Sequence, residues 1–343
     1  MSSNNKNVLV TGITGFIGSH IAVKLLNSGY SVRGTMRNLE RKESILKTIS
    51  ACTENFDRLE FAKGELTNPE DWNVAMEGMD YVMHVASPLP FDLKKGADDI
   101  IIPAREGTLN VLKAANKHNI KRVVLTSSVA AIGHGHKSKV RTFTEEDWTI
   151  LNGGNDTPPY VQSKTIAETE AWKFINQTDV QIELAVINPG YVFGPLLEKD
   201  FSDSGEIIRK LLAGEIPGLP KINFPLVDVR DVADMHLLAL ETRDAAGNRF
   251  ICVNESGSYQ YIAKTLKETF PEYGKKIKTF VLPDFFIRFY SLLDKDTRVI
   301  TTELGIERSY DNTKAKQMFN WKPRTNKEAI IRMGETMIKF GVV

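Results

Sequence analysis

Three glycines, at positions 12, 15 and 18 in VTGITGFIGSH, stand between a continuous apolar run, Asn7–Thr11, and a stretch that places Ile17, Ile21, Leu25 and Leu26 at helical spacing. A strand that stops on glycine and restarts as a helix must turn tightly there. Its backbone can then approach a bulky anion, and the free N–H groups and dipole of the helix N-terminus favour negative charge. A glycine triplet alone is a weak signal, because a structural turn has the same composition. With a strand before it and a helix after it, the triplet predicts a dinucleotide-binding loop formed by Gly12, Thr14, Gly15, Phe16, Ile17 and Gly18.

The rest of the first half repeats the rhythm. Strands are predicted at Ser31–Met36, Leu59–Ala62, Tyr81–Val85, Arg122–Thr126 and Ile182–Ile187. Helices are predicted at Phe16–Asn27, Leu39–Ala51, Asp71–Met79, Ile100–His118 and Tyr160–Ile175. Alternation of this kind requires a parallel sheet, because parallel neighbours need a crossover and a helix supplies it. The strands are apolar throughout, as strands covered by helices on both faces should be. The expected fold is therefore α/β, a Rossmann-type doubly wound parallel sheet with a smaller, mostly helical C-terminal substrate domain. Residues 1–189 and 226–254 are assigned to the nucleotide-binding unit, with Val227–Val229 and Phe250–Val253 read as late returns to the sheet. Residues 190–225 and 255–343 are assigned to the substrate unit, and Phe285, Phe286, Phe289 and Tyr290 to that unit's core.

Composition excludes several function classes. Forty-four Lys and Arg against 43 Asp and Glu leave a net charge of +1, too little to attract nucleic acid or an anionic membrane over a distance. Cys52 and Cys252 stand in no metal-ligand spacing and read as reduced thiols of a cytoplasmic protein. No apolar stretch reaches membrane-spanning length. His134 and His136 in GHGHK lack a third ligand nearby, so no metal is expected. Glu145, Glu146 and Asp147 read as a solvated acidic turn.

The end of the second strand selects the dinucleotide. A carboxylate there would hold the ribose hydroxyls of NAD, whereas a 2′-phosphate needs cations. The chain reads RGTMRNLERK, with Arg37 at the decisive place and Arg41 and Lys42 beyond it, so NADP(H) is the expected cofactor. Tyr160 and Lys164, four apart in YVQSK, share one face of a predicted helix. Ser128 follows the fifth strand in RVVLTSSVAA, at the carboxyl edge where open sheets bind ligands.

Together with HVASP at 84–88, INPGYVFGP at 187–195, DVRDVA at 228–233 and DNTKAKQMFNWKP at 311–323, these motifs resemble the extended short-chain dehydrogenases/reductases in order and over nearly the whole chain. VRGTMR, HVASP and NPGYVFGP are most similar to the branch containing dihydroflavonol 4-reductase, cinnamoyl-CoA reductase and the microbial NADPH-dependent aldehyde and methylglyoxal reductases, and TFTEEDW to the last of these. The resemblance implies reduction of an aldehyde or ketone. Tyr160 would be the general acid, Lys164 would lower the tyrosine pKa and hold the nicotinamide ribose, and Ser128 would bind the carbonyl oxygen, with Ser127 as its neighbour. It also implies that Glu65 and Leu66 meet the adenine, that Val85, Ala86, Ser87, Thr126 and Ser127 line the cofactor, and that Pro189, Gly190 and Val192 lie at the nicotinamide end. Pro88, Phe91, Tyr191 and Phe224 would join Ser128 and Tyr160 in the pocket of a small carbonyl substrate.

One feature of many relatives is missing: IIPAREGTLN lacks the early asparagine that organises a relay water, and Asn110 lies further along. The alternatives are a sugar-nucleotide epimerase/dehydratase, for which Arg209, Lys210 and Arg230 could bind a second pyrophosphate, a hydroxysteroid dehydrogenase, and an NADP(H)-sensing regulatory protein without catalysis. A monomer and a homodimer are equally compatible with the sequence.

Overall fold

The structure, a computed structural model, describes residues 6–88, 96–154, 156–291 and 301–343. Twelve strands are described: β1 Asn7–Thr11, β2 Ser31–Met36, β3 Leu59–Lys63, β4 Tyr81–His84, β5 Arg122–Thr126, β6 Val140–Phe143, β7 Glu183–Pro189, β8 Tyr191–Phe193, β9 Asn223–Asp228, β10 Asn248–Cys252, β11 Glu255–Ser258 and β12 Glu307–Tyr310. Seven form one sheet in the order β10-β7-β5-β4-β1-β2-β3, and every pairing in it is parallel. The chain leaves β1 towards β2 on one side and returns to β4 on the other. The crevice for a ligand therefore opens at the carboxyl ends of β1 and β4, where the strand order reverses.

Alternate side chains of each strand feed two cores. Val8, Val10, Met83, Val124, Ala185 and Ile187 pack with α1 (Phe16–Asn27) on one face. Leu9, Val82, Val123, Leu125, Leu184 and Val186 pack on the other with α3 (Pro69–Met76), α4 (Asp98–Lys117) and α5 (Pro159–Ile175), where Trp72 is fully buried. Between α1 and α3 lies α2 (Lys42–Ser50), which a single 3-10 turn, Leu39–Arg41, precedes where one continuous helix was expected. The third helix starts at Pro69, two residues before its expected start. Asn68 accepts from the Glu70 N–H, and Pro69 has no N–H to lose at the first helical position.

Helices α6 (Gly205–Ala213), α7 (Val229–Glu241) and α8 (Tyr259–Thr269) follow in the second half, with shorter helices and a last one at Asn326–Lys339. Two segments here differ from the sequence expectation. Phe250 returns to the main sheet within β10, but Val227 lies in β9, which pairs with β8 and β11 in a separate three-stranded sheet, and Val229 already begins α7. Phe285, Phe286 and Phe289 are exposed, and among the described side chains of that helix only Ile287 is buried, so these three are not core, while the Tyr290 side chain lies outside the described residues: apolar spacing identifies a face without showing what covers it. Among the described residues no helix is long and apolar enough to cross a membrane.

Arg122 ties the sheet to α7. Its buried guanidinium donates to the carbonyls of Ala239 (2.8 Å), Leu240 (3.1 Å), Thr242 (2.5 Å) and Arg243 (3.0 Å), the orphan acceptors at the helix C-terminus, and to Glu183 (2.8 Å). A cation at this end also meets the negative pole of the helix. Arg122→Met leaves those carbonyls buried without a donor, and a loss of about 3 kcal/mol is expected. Urea unfolding measures it; an unchanged midpoint contradicts the role.

Candidate active site

The glycine loop has the shape an anion needs. Gly12 sits at φ +69°, and a Cβ there would lie 3.1 Å from Ala86 Cα. A Cβ on Gly18 would lie 2.3 Å from the Gly12 carbonyl oxygen, an impossible approach. Gly15 precedes α1 without a side-chain cap, and the first turn carries no acidic residue. The N–H groups of a twelve-residue helix are therefore presented to the crevice with no carboxylate competing for them. These features fit a dinucleotide pyrophosphate.

Thr11, absent from the sequence expectations, fixes the opposite wall. Its hydroxyl oxygen accepts from the N–H groups of Val85 (3.0 Å) and Ala86 (2.9 Å) and lies 2.9 Å from His84 Nδ1. With both acceptor sites taken, its proton goes to His84. That imidazole is neutral, because burial first and the Lys164 charge second lower its pKa to about 3.

At the end of the second strand Arg37 is exposed and, among the described residues, has no ion-pair partner. Arg41 is drawn to Glu198 at 3.0 Å and Asp200 at 3.8 Å. Among the described residues Arg37 and Lys42 are thus the cations at this strand end without an ion-pair partner. Glu65 and Leu66 are half-buried and held by backbone contacts. The Glu65 N–H donates to Asp71 Oδ2 (3.0 Å), and the Leu66 carbonyl accepts from Asn110 (3.0 Å) and Trp72 (3.3 Å).

Ser128, Tyr160 and Lys164 come together at the carboxyl end of β5. The Ser128 oxygen caps a 3-10 turn, accepting from the Ala130 N–H at 3.1 Å, and its hydroxyl reaches the Pro189 carbonyl at 3.5 Å. It also makes a side-chain hydrogen bond with Tyr160. Lys164, one turn along α5, donates to the Thr126 carbonyl at 3.5 Å. Burial raises the Tyr160 pKa, the bond with Ser128 opposes that shift, and the nearby Asp203 charge adds to it. The lowering partner in the cofactor-free protein is therefore Ser128, where the resemblance implied Lys164. Burial brings Lys164 down to about 8 against the opposing pull of Glu168.

Two expected cofactor contacts have their hydroxyls committed elsewhere: Thr126 Oγ1 to His236 Nε2 (2.7 Å) and Ser127 Oγ to Glu168 (2.5 Å). Glu168 itself escaped the sequence reading. Four residues beyond Lys164, in AETEAW, it looks like part of a solvated helix face, yet it is 1% exposed and bonded to Ser127, Asn188 and Arg249. The (i, i+4) spacing from Lys164 was the available signal. The acidic run likewise departs from a solvated turn: Glu145 is buried and accepts from the Ile251 N–H at 3.0 Å, while Asp147 pairs with Arg141.

The candidate pocket lies beside this site. Tyr191 and Phe224 stack edge-on at 4.8 Å, and Phe224 meets Tyr259 at 5.4 Å. Val192 is buried and Gly190 donates to the Cys252 carbonyl, which fixes the β7–β8 turn. Pro88 is half-buried, and Phe91 lies outside the described residues. The loop histidines serve structure: His134 Nδ1 meets the Asp156 carbonyl (2.9 Å), His136 Nε2 the Trp148 carbonyl (3.1 Å), and Arg308 locks Asp156 at 2.5 Å.

Sheet order and glycine loop define a dinucleotide-binding Rossmann protein. A model of the NAD dependent epimerase/dehydratase family matches residues 8–252. Cinnamoyl-CoA reductase CAD2 of Medicago truncatula is 36% identical over 281 residues, 79% of this chain and 83% of that protein. The NADPH-dependent methylglyoxal reductase GRE2 of Saccharomyces cerevisiae is 30% identical, over 97% of this chain and 98% of that one. The crystal structure of yeast methylglyoxal/isovaleraldehyde reductase Gre2 complexed with NADPH superposes with a TM-score of 0.82 at 28% identity, covering 98% of this chain and 99% of that one. The chain belongs to the NAD dependent epimerase/dehydratase family, the extended short-chain dehydrogenases/reductases.

Because burial lowers the Lys164 pKa, its charge is present below about pH 8 and lost as pH rises through that value, while Tyr160, shifted upward, keeps its proton. The value of kcat/KM for NADPH is therefore expected to fall on the alkaline side with an apparent pKa near 8. A profile flat to pH 10 would exclude Lys164 as the controlling group.

Proposed function

We propose that this protein reduces an aldehyde or ketone to the alcohol with NADPH as the reductant and Tyr160 as the proton donor. The observation that carries the reading is the enclosed Ser128–Tyr160–Lys164 group at the sheet edge, facing a glycine loop fit for a dinucleotide. Reduced NADPH, when bound, supplies hydride to the carbonyl carbon. The Ser128 hydroxyl donates to the carbonyl oxygen and stabilises its developing charge. The raised pKa of Tyr160 keeps its proton in place until that oxygen becomes basic, and the phenol then releases it. Lys164 contributes its positive charge beside the ribose and the phenol. Gly12, Gly15 and Gly18 take the pyrophosphate. Val85, Ala86 and Ser87 line the cofactor, and Glu65 and Leu66 meet its adenine.

Arg37 clamps the 2′-phosphate, a reading supported by its free guanidinium and by NADPH-dependent relatives. The aromatic wall of Tyr191 and Phe224 suits an apolar carbonyl. A nucleotide-sugar substrate fits less well. Arg209 is forked between Glu206 and Glu215, and Arg230 between Asp228 and Glu328, which leaves neither for a second pyrophosphate. A regulatory sensor would not require the full Ser, Tyr and Lys set. Free Cys52 and Cys252 support work in the reducing cytoplasm.

Tyr160→Phe is expected to bind NADPH normally while kcat falls by about a thousandfold, measured by NADPH consumption over a panel of neutral aldehydes and ketones. Wild-type turnover in that variant refutes the acid. Arg37→Asp is expected to raise the KM for NADPH at least about tenfold relative to that for NADH. An unchanged ratio removes Arg37 from the phosphate site.

A further inference from the structure

Beneath the reactive groups lies a buried acid that the proposed reaction does not use directly. Glu168 is 1% exposed, and every oxygen on its carboxylate is engaged. Oε1 accepts from Arg249 Nε at 2.5 Å and Trp172 Nε1 at 3.4 Å. Oε2 accepts from Ser127 Oγ at 2.5 Å and Asn188 Nδ2 at 2.8 Å. Asn188 Nδ2 also donates to the Ser128 carbonyl at 3.1 Å. Because both partners of this amide nitrogen are acceptors, the amide orientation is determined. One carboxylate thus grips the backbone of Ser128 through one intermediary and the neighbouring Ser127 directly.

The same carboxylate reaches towards Lys164. Thr126, Ser127, Lys164, Glu168, Ser87 and Thr108 line a cavity with about 10 Å³ of room for the centre of a water molecule. That is space for one water, with polar groups enough to hold it. The other charged groups around Lys164 are few. Tyr160 lies one turn back on the same helix, Arg249 on β10 is turned to Glu168, and His84 on β4 stays neutral above about pH 3. Glu168 is the negative group whose pull on Lys164 opposes burial.

We infer that Glu168 is a positioning residue of the reductive site: its carboxylate fixes the Ser128 backbone through Asn188 and sustains the charge of Lys164 across a cavity with room for one water. The Glu168–Arg249 pair is also a buried structural ion pair, with Arg249 stacked 3.7 Å over the Trp148 ring and bonded to the carbonyls of Glu145 and Asp147. The two roles separate by pH. A purely structural role lowers stability, and activity with it, at every pH. A role acting through Lys164 moves the alkaline limb of activity.

The inference rests on the reading of Ser128, Tyr160 and Lys164 given above, and the test separates the two. The experiment records pH profiles of kcat/KM for NADPH in the full-length wild type, Glu168→Gln and Thr108→Val, with folding checked by circular dichroism. Glu168→Gln keeps the side-chain shape and removes the charge. Its alkaline limb is expected to move about one unit to lower pH, so that activity falls about tenfold on the alkaline side and at most about threefold at pH 6. Thr108→Val, nearly isosteric, removes one hydroxyl from the cavity wall. Its limb is expected to move the same way by less, and it carries the test if Glu168→Gln fails to fold. A wild-type limb position in every folded variant, or an equal loss at all pH values, overturns the inference. If Tyr160→Phe is inactive in the same assay, the reductase reading survives that outcome; if Tyr160→Phe is active, the reductase reading itself fails.

Discussion

The proposed chemistry depends on enclosing an ammonium. Lys164 stands on α5 with its amine against the carbonyl at the end of β5, in surroundings that disfavour its charge strongly enough to bring its pKa to about 8. A lysine on an exposed helix face would hold its proton across the physiological range and hold it loosely in space. Here burial, the Glu168 carboxylate and the packing of α4 and α5 fix both the position and the charge of the group. The phenol of Tyr160 is subject to the same enclosure with the opposite result, because desolvation penalises the phenolate and preserves the acid form. A single low-dielectric pocket thus moves the two pKa values apart, the amine down and the phenol up, a useful state for a proton donor beside a cation.

The sheet makes this enclosure possible. Parallel strands covered on both faces end together at one edge, so residues distant in sequence, Gly12 after β1, Ala86 after β4, Ser128 after β5 and Pro189 at the end of β7, become neighbours. The contact of Gly12 with Ala86 and the grip of Thr11 on Val85 and Ala86 lock the first two of these ends. The second half of the chain contributes the small sheet of β8, β9 and β11, whose Tyr191 and Phe224 close the other side of the cleft. In this half Arg209, Arg230, Arg308 and Arg324 are each paired with carboxylates.

Much of this was legible because it rests on local patterns. The boundaries of β1, α1, β2 and β5 follow from apolar runs bounded by glycine or polar residues, and the loop glycines from the strict geometry of that turn. The Ser128, Tyr160 and Lys164 positions were legible through a motif order. What escaped depends on tertiary contact. Glu168 has the composition of a surface position, and nothing local shows that Arg249, 81 residues away, will meet it. The pairing of β6 with β12 joins segments far apart in the chain, and β9 resembles any buried strand until its partners are known. The exposed Phe285, Phe286 and Phe289 show the converse, since helical spacing of aromatics does not guarantee a covering surface. The tyrosine environment was misjudged for a related reason: a motif gives residue types, while the contact that opposes burial is fixed by which side chain reaches the hydroxyl, here that of Ser128.

The most direct test of the account is the titration of Lys164 itself, by NMR of the cofactor-free protein with lysine labelled at the side-chain nitrogen and Lys164→Met used for assignment. Enclosure predicts an apparent pKa near 8. A titration at the ordinary lysine value near 10.5 would contradict the claim that this amine is buried and shaped by its surroundings.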